Sequence, residues 1–139
     1  MPALSVTIIT LNEADHIAAA IDSASWADEI VVVDSGSTDR TQEIARDTGA
    51  KVLEFCWDGR YPKKRNWVLI NHIPANPWVL FLDADEFVDD RFCDEVAMVI
   101  RLNSHDGYWL NYTNDFLGRC LKHGVPQRKL ALFRVGKAL

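Results

Sequence analysis

Unbroken apolar runs of membrane-spanning length are missing from this 139-residue chain, and so are an Arg-rich presequence and a signal-type apolar core. The chain is therefore expected to be neither exported nor bilayer-spanning, with the cytoplasm as its default location. Cysteine is scarce: Cys56, Cys93 and Cys120 are odd in number and far apart. That excludes a disulfide framework and a zinc knuckle, and predicts reduced, mostly packed thiols. His16, His72, His105 and His123 lack metal-ligand spacing. Repeats, low-complexity tracts and linkers are lacking too, so the expectation is a single domain over 1–139. Acidic residues stop at Asp115, after which Arg119, Lys122, Arg128, Lys129, Arg134 and Lys137 are all basic. The net charge of −5 thus divides into −11 over the first 115 residues and +6 over the rest. An acidic body argues against nucleic-acid binding, while tolerating an anionic ligand whose charge a divalent cation offsets. The basic end suits either a solvated surface or peripheral contact with an anionic membrane or a phosphorylated lipid.

What is present is apolar content, 48% of residues, arranged in alternating strand and helix patterns. Strands are predicted over 4–11, 29–33, 51–55 and 78–82. Helices are predicted over 13–25, 38–47, 61–71 and 89–103, with Pro62 in the first turn of the third and Gly49 as a C-terminal cap. Such alternation builds an α/β domain with a mainly parallel sheet covered on both faces. From Gly107 the pattern changes to aromatic alternation, a turn near Asn114-Asp115 and a last apolar run over 130–135, which predicts a mixed or antiparallel C-terminal edge.

Three polar clusters follow strands. Thr10-Leu11-Asn12-Glu13 ends the first strand, Asp34-Ser35-Gly36-Ser37-Thr38-Asp39 the second, and Asp83-Ala84-Asp85-Glu86 the fourth. In open α/β sheets ligands sit beyond the carboxyl ends of strands, so these clusters share one rim. Asp83 and Asp85, two apart, would lie on one side of a continuing extended backbone, and paired carboxylates suit Mg²⁺ or Mn²⁺. Each cluster also has a local reading. Asn12, Ser37 or Thr38 can cap helices, Asp89 or Asp90 can cap the helix after the fourth strand, and Glu13 and Asp15 can favour a helix dipole. Trp26, Trp67 and Trp78 read as packing residues, and Trp57 lies in a loop facing the rim. Asp106 and Asp115 read as turn and strand-edge residues.

Ser5-Val-Thr-Ile-Ile-Thr-Leu-Asn-Glu13, Val31-Val-Val-Asp-Ser-Gly-Ser-Thr-Asp39 and Leu80-Phe-Leu-Asp-Ala-Asp-Glu86, in that order, resemble family 2 glycosyltransferases of the Rossmann-like GT-A fold. Tyr61-Pro-Lys-Lys-Arg-Asn-Trp67 and Lys129-Leu-Ala-Leu-Phe-Arg-Val-Gly-Lys137 are similar to the bacterial lipopolysaccharide-core β-1,4-glucosyltransferase branch. The resemblance implies a nucleotide-sugar-binding part over 1–105 and the start of an acceptor-side part over 106–139. It implies Thr10, Asn12 or Glu13 and Asp34 around the uridine of a UDP-sugar, with Asp34 reading a base N–H. It places Lys64 or Arg65 at the nucleotide or its phosphates. Asp83 would contact ribose and sugar and take part in metal binding, and Asp85 would coordinate the Mg²⁺ or Mn²⁺ that bridges the diphosphate. The implied reaction inverts the anomeric centre by direct displacement, moving a sugar, glucose by branch, to a glycan or lipid-linked acceptor at the inner membrane.

In that branch the general base lies downstream of the Leu-Phe-Arg segment. No residue up to Leu139 matches it, so the chain reads as the donor-binding part. Two functions of different class follow: a metal-dependent glycosyltransferase, or a catalytically incomplete nucleotide-binding or assembly module, with a homodimer through unfinished sheet edges as one form. A sugar nucleotidyltransferase fits less well, because no Gly-rich phosphate loop with a following Lys stands near the first strand.

Overall fold

The computed structural model describes residues 4–56, 67–69, 74–86, 88–102, 106–112, 115–116, 119–120 and 127–135, and between 109 and 131 it describes backbone alone. In chain order the elements are β1 (Leu4–Thr10), α1 (Ile17–Ser23), β2 (Glu29–Asp34), α2 (Thr41–Asp47), β3 (Lys51–Glu54), β4 (Trp78–Asp83), α3 (Asp90–Leu102), β5 (Gly107–Tyr112), β6 (Asp115–Phe116), β7 (Arg119–Cys120) and β8 (Gln127–Arg134). Residues 67–69 are helical.

Six strands form one sheet in the order β3-β2-β1-β4-β8-β5, and β6 with β7 makes a separate two-stranded ribbon. The first four are mutually parallel. β8 runs antiparallel to both β4 and β5, so the last third of the chain supplies the mixed edge that the aromatic alternation predicts. The architecture is the Rossmann-like, mainly parallel α/β arrangement expected from the sequence.

The central strands explain why this order is stable. β4 is buried from Trp78 through Leu82, and β1 is buried at every position except Ile9. Strands with no solvated face belong at the middle of a sheet covered on both sides. Along β2, Val32 joins the large cluster with Leu4, Val6, Ile8, Leu80 and Leu82. Its neighbours Val31 and Val33 join a second cluster with Phe55 and Val68, as the period-two alternation of a strand requires. Each fully buried aliphatic side chain contributes about 1.5–3 kcal/mol of transfer free energy. Phe81 stacks on Phe133 at 5.7 Å between ring centroids, fastening β4 to antiparallel β8.

Helix ends follow local chemistry, with two exceptions. Asp89 Oδ1 accepts the Phe92 N–H at 2.8 Å, so Asp89 caps α3 as expected. Gly49, at φ 98°, ends α2 with its N–H on the Arg46 carbonyl. By contrast α1 starts at Ile17 and α2 at Thr41, later than the pattern predicts, and neither N-cap residue makes a side-chain capping bond. The residues expected to cap them, Asn12, Ser37 and Thr38, instead bond across from one loop to the other.

Of the thiols, Cys56 is exposed rather than packed. It follows a short edge strand whose last residue, Glu54, is itself exposed, which is the physical reason the packing expectation fails there. Cys93 is half-buried, and burial together with Asp90, Asp89 and Asp94 pushes its thiol up to about 11. Trp78 is buried, and Trp67 packs on Phe55 with ring centroids 5.2 Å apart, as expected of packing residues. Among the described residues no helix is long and apolar enough to cross a membrane.

Candidate functional site

Parallel pairing sets the row of candidate residues. Thr10 lies opposite Asp34 on one side, while its neighbour Ile9 lies opposite Asp83 on the other. With strands spaced about 4.8 Å, the backbones of Asp34 and Asp83 stand roughly 10 Å apart across three adjacent strand ends. Three strands therefore bring their polar termini to one rim.

Two loops at this rim are bonded to each other. Asn12 sits at φ 52°, in the left-handed region that Asn tolerates better than most residues. Its N–H donates to Ser37 Oγ at 2.8 Å, and its Oδ1 accepts the Thr38 N–H at 2.8 Å. The Glu13 N–H donates to Thr41 Oγ1 at 3.0 Å, and the Ala14 N–H to Asp39 Oδ2 at 3.3 Å. The Ser35 N–H closes the seam on the Thr10 carbonyl at 3.1 Å.

Two carboxylates anchor that seam. Asp34 is fully buried, yet Oδ2 accepts the Gly36 N–H, the Ser37 N–H and the Gln42 amide at 2.7–3.0 Å, while Oδ1 accepts the Ser37 hydroxyl. Burial raises its pKa, but the bonds from Ser37, Gln42 and Gly36 outweigh that and hold the carboxyl below its ordinary value. Asp39 is also held low, first by the Thr41 hydroxyl and then by the N–H groups of Thr41 and Ala14. Each carboxylate fixes a hydroxyl, and each hydroxyl accepts a backbone N–H from the loop after β1.

The third cluster is a closed turn. Glu86 Oε1 accepts the Asp83 N–H at 2.7 Å, while the Glu86 N–H donates to the Asp83 carbonyl at 2.9 Å. Ala84 is buried, and its N–H reaches the Ile9 carbonyl at 3.0 Å. The alanine thus faces the core between a half-buried Asp83 and an exposed Asp85. The extended backbone does not continue past Asp83, so the pair flanks a turn instead of sharing one side of a strand. Two hard carboxylates suit a divalent cation whose remaining positions are filled by phosphate oxygens and water. Among the described residues no group of three or more His, Cys, Asp and Glu converges into a complete protein cage.

Thr10, Asn12, Glu13, Asp34, Asp83 and Asp85 are all at the rim. Glu13 is partly engaged, its carboxylate lying 2.8 Å from His16 Nδ1. Lys64 and Arg65 fall outside the described residues, as does the Trp57 loop. Asp106 lies at the far end of the sheet: it pairs with Arg134 at 3.0 Å, and Arg134 stands opposite Trp78, where β4 begins. That agrees with its reading as a turn residue. The same Arg134 guanidinium lies over the Trp78 ring at 5.1 Å, so one of the six late basic residues packs on the fold. The sequence places Asp39 in the rim cluster but not as the partner of Thr41 and Ala14, and it does not single out Thr41 or Gln42, or Leu11 as an exposed apolar side chain beside the rim. The Ser-Thr-Asp run after Gly36, rich in groups that bond backbone, is the signal for Asp39; Thr41 and Gln42, beyond that run, have no such signal.

The chain is similar to known proteins in sequence and in fold. A model of the family described as Glycosyl transferase family 2 matches residues 5–133. A protein of Rickettsia felis named as a glycosyltransferase is 39% identical over 109 residues, covering 78% of this chain and 38% of its own length. The lipopolysaccharide core biosynthesis glycosyltransferase LpsC of Rhizobium meliloti is 30% identical over 142 residues, covering 96% of this chain and 52% of its own. The chain thus spans between 38% and 52% of these two relatives. Among solved structures, Mycobacterium tuberculosis glucosyl-3-phosphoglycerate synthase in complex with UDP is 31% identical, with a TM-score of 0.50, over 62% of this chain and 35% of that one. S. aureus TarS is 29% identical, with a TM-score of 0.60, over 75% of this chain and 20% of that one.

Proposed function

The chain belongs to glycosyl transferase family 2, and from that premise we propose that it is the donor-binding part of an inverting glycosyltransferase that uses a UDP-sugar and Mg²⁺ or Mn²⁺. The row of Asp34, Thr10 and Asp83 across three adjacent strand ends carries the reading. The UDP complex of the related mycobacterial structure supports it.

In this reading uridine lies at the β1–β2 end of the rim, against Thr10, Asn12, Glu13 and Asp34, and exposed Leu11 offers apolar surface to the base. Asp34 Oδ1 holds one donor where Oδ2 holds three, so Oδ1 is the acceptor for a base N–H. Because Asp34 is fully buried, that contact requires the Ser37 hydroxyl to swing away. Lys64 and Arg65 supply cationic partners for the diphosphate. Asp83 contacts ribose and sugar, and Asp83 and Asp85 would hold the cation. A bound divalent cation supplies Lewis-acid stabilisation of the charge left on UDP when the anomeric C–O bond breaks. Similarity to the lipopolysaccharide core enzyme supports a cell-envelope glycan or lipid-linked acceptor; glucose as the sugar and the inner-membrane surface as the place of action rest on the sequence resemblance alone.

The second reading is a nucleotide-binding or assembly module that binds without transferring. It draws on β5, which ends the sheet as an edge strand through which two copies could pair.

Calorimetric titration with UDP and UDP-glucose, in manganese and again in excess EDTA, tests the proposal. Binding that needs metal and is lost in Asp85→Ala supports the donor site. Undiminished UDP binding by Asp85→Ala in manganese would make the metal assignment wrong, and absence of binding in every condition would overturn the donor reading. Sugar transfer by the purified chain would sink the module alternative.

A further inference from the structure

We propose that Asp39, which no assignment above places in contact with the nucleotide, is a positioning residue for donor binding: through Thr41 and Ala14 it sets the backbone that presents Asn12 and Glu13. The inference rests on the uridine reading of the rim and extends it to a residue one shell further out.

An ionised carboxylate only accepts, so the single proton of the Thr41 hydroxyl points at Asp39 Oδ1. With that proton committed, a lone pair of Thr41 Oγ1 faces the Glu13 N–H at 3.0 Å. Thr41 is fully buried, which keeps water from competing for either bond. The other oxygen, Oδ2, takes the Ala14 N–H directly. One side chain therefore fixes two consecutive N–H groups of the loop after β1, one directly and one through a hydroxyl.

The loop needs such support because its conformation is not a local preference. Asn12 is left-handed at φ 52°, and the turn over 14–16 precedes a short α1 without a side-chain cap. The parallel chain from the Asn12 N–H through Ser37 Oγ to Asp34 holds the residue before Glu13 in the same manner. Asp39 is the partner of the two N–H groups that Asp34 does not reach.

Asp39→Asn is the sharpest variant, because whichever oxygen becomes nitrogen places an N–H against an N–H: that of Thr41 on Oδ1 or that of Ala14 on Oδ2. Thr41→Val removes the hydroxyl at nearly constant shape, Thr41→Ser restores it, and Val96→Ala, on the buried face of α3, is a control for stability loss alone. UDP affinity in manganese would be measured below every melting transition, alongside amide hydrogen exchange at Glu13 and Ala14. The expected result is UDP affinity weaker by roughly five- to tenfold in Asp39→Asn and Thr41→Val, the size of one lost hydrogen bond. Affinity should recover to within about twofold in Thr41→Ser and hold in Val96→Ala, and the Glu13 amide should exchange faster in the first two variants. Unchanged exchange at Glu13 and Ala14 in Asp39→Asn overturns the positioning argument whatever UDP does. Faster exchange with unchanged affinity, or an equal loss in Val96→Ala, overturns its link to the donor. A wild-type chain that binds no UDP overturns the uridine reading, and this link with it.

Discussion

Asn12 Oδ1 accepts the Thr38 N–H at 2.8 Å from the neighbouring loop, with Asn12 itself held at φ 52°. Two costs can thus be separated by substitution. Asn12→Gly loses the bond, worth about 1 kcal/mol, but keeps access to positive φ. Asn12→Ala loses the bond and adds left-handed strain of about 1–2 kcal/mol, partly offset by the entropy that glycine adds to the unfolded chain. Urea unfolding should find Asn12→Ala less stable than Asn12→Gly by about 0.5–1 kcal/mol; equal stability would mean that the left-handed strain is no larger than the entropy glycine adds to the unfolded chain.

Acid should act on the Asp34 anchor. Its folded pKa lies below the ordinary 3.8 because bonds to Ser37, Gln42 and Gly36 outweigh the opposing effect of burial. A depressed carboxyl stabilises fully above the unfolded value and loses that contribution as pH falls through the folded one. The urea midpoint should therefore decline on acidification from about pH 4 downward. In Asp34→Asn the midpoint at neutrality should be lower, since an amide cannot accept four donors, and its acid slope shallower. An unchanged slope would remove Asp34 as a source of the acid sensitivity.

The mainly parallel sheet and the rim were legible because they depend on long-range apolar pattern. Continuous burial of Trp78 to Leu82 and Leu4 to Ile8 makes those segments central strands in any compact solution. Helix starts were less legible. Asn12, Ser37 and Thr38 each resemble caps in isolation, and what moves them is a tertiary partner some 25 residues away, which local propensity cannot contain. The turn after Asp83 was half legible. Alternation marked the carboxylates, but the burial of Ala84 against β1 bends the chain where a strand was extrapolated.

Glu86 follows the proposed metal pair but spends Oε1 on the Asp83 N–H. It should therefore act on the shape of the turn. Glu86→Gln keeps an acceptor oxygen and should bind UDP in manganese within about twofold of wild type. Glu86→Ala frees the Asp83 N–H and should weaken that binding several-fold, by about the worth of one hydrogen bond, without abolishing it. Complete loss in both variants would make Glu86 a direct ligand instead of a brace.

Gly36 and Gly49 offer a matched pair for separating stability from ligand binding. Both have positive φ, 93° and 98°, and an added Cβ would meet nothing within 4 Å of either, so Ala substitution carries backbone strain without collision. The cost should be about 1 kcal/mol at each site, since the left-handed penalty is local. Their surroundings differ. Gly49 ends α2 at its C-terminus and donates to the Arg46 carbonyl, away from the rim. Gly36 gives its N–H to Asp34 Oδ2, inside the set of bonds that holds the proposed uridine residues. Relaxing toward negative φ would turn that N–H off the buried carboxylate and leave its charge with three donors. Gly36→Ala should therefore lower UDP affinity as well as the urea midpoint, whereas Gly49→Ala should lower the midpoint alone. Equal effects on affinity would mean that general stability, and not the loop held by Asp34, governs the nucleotide end of the rim.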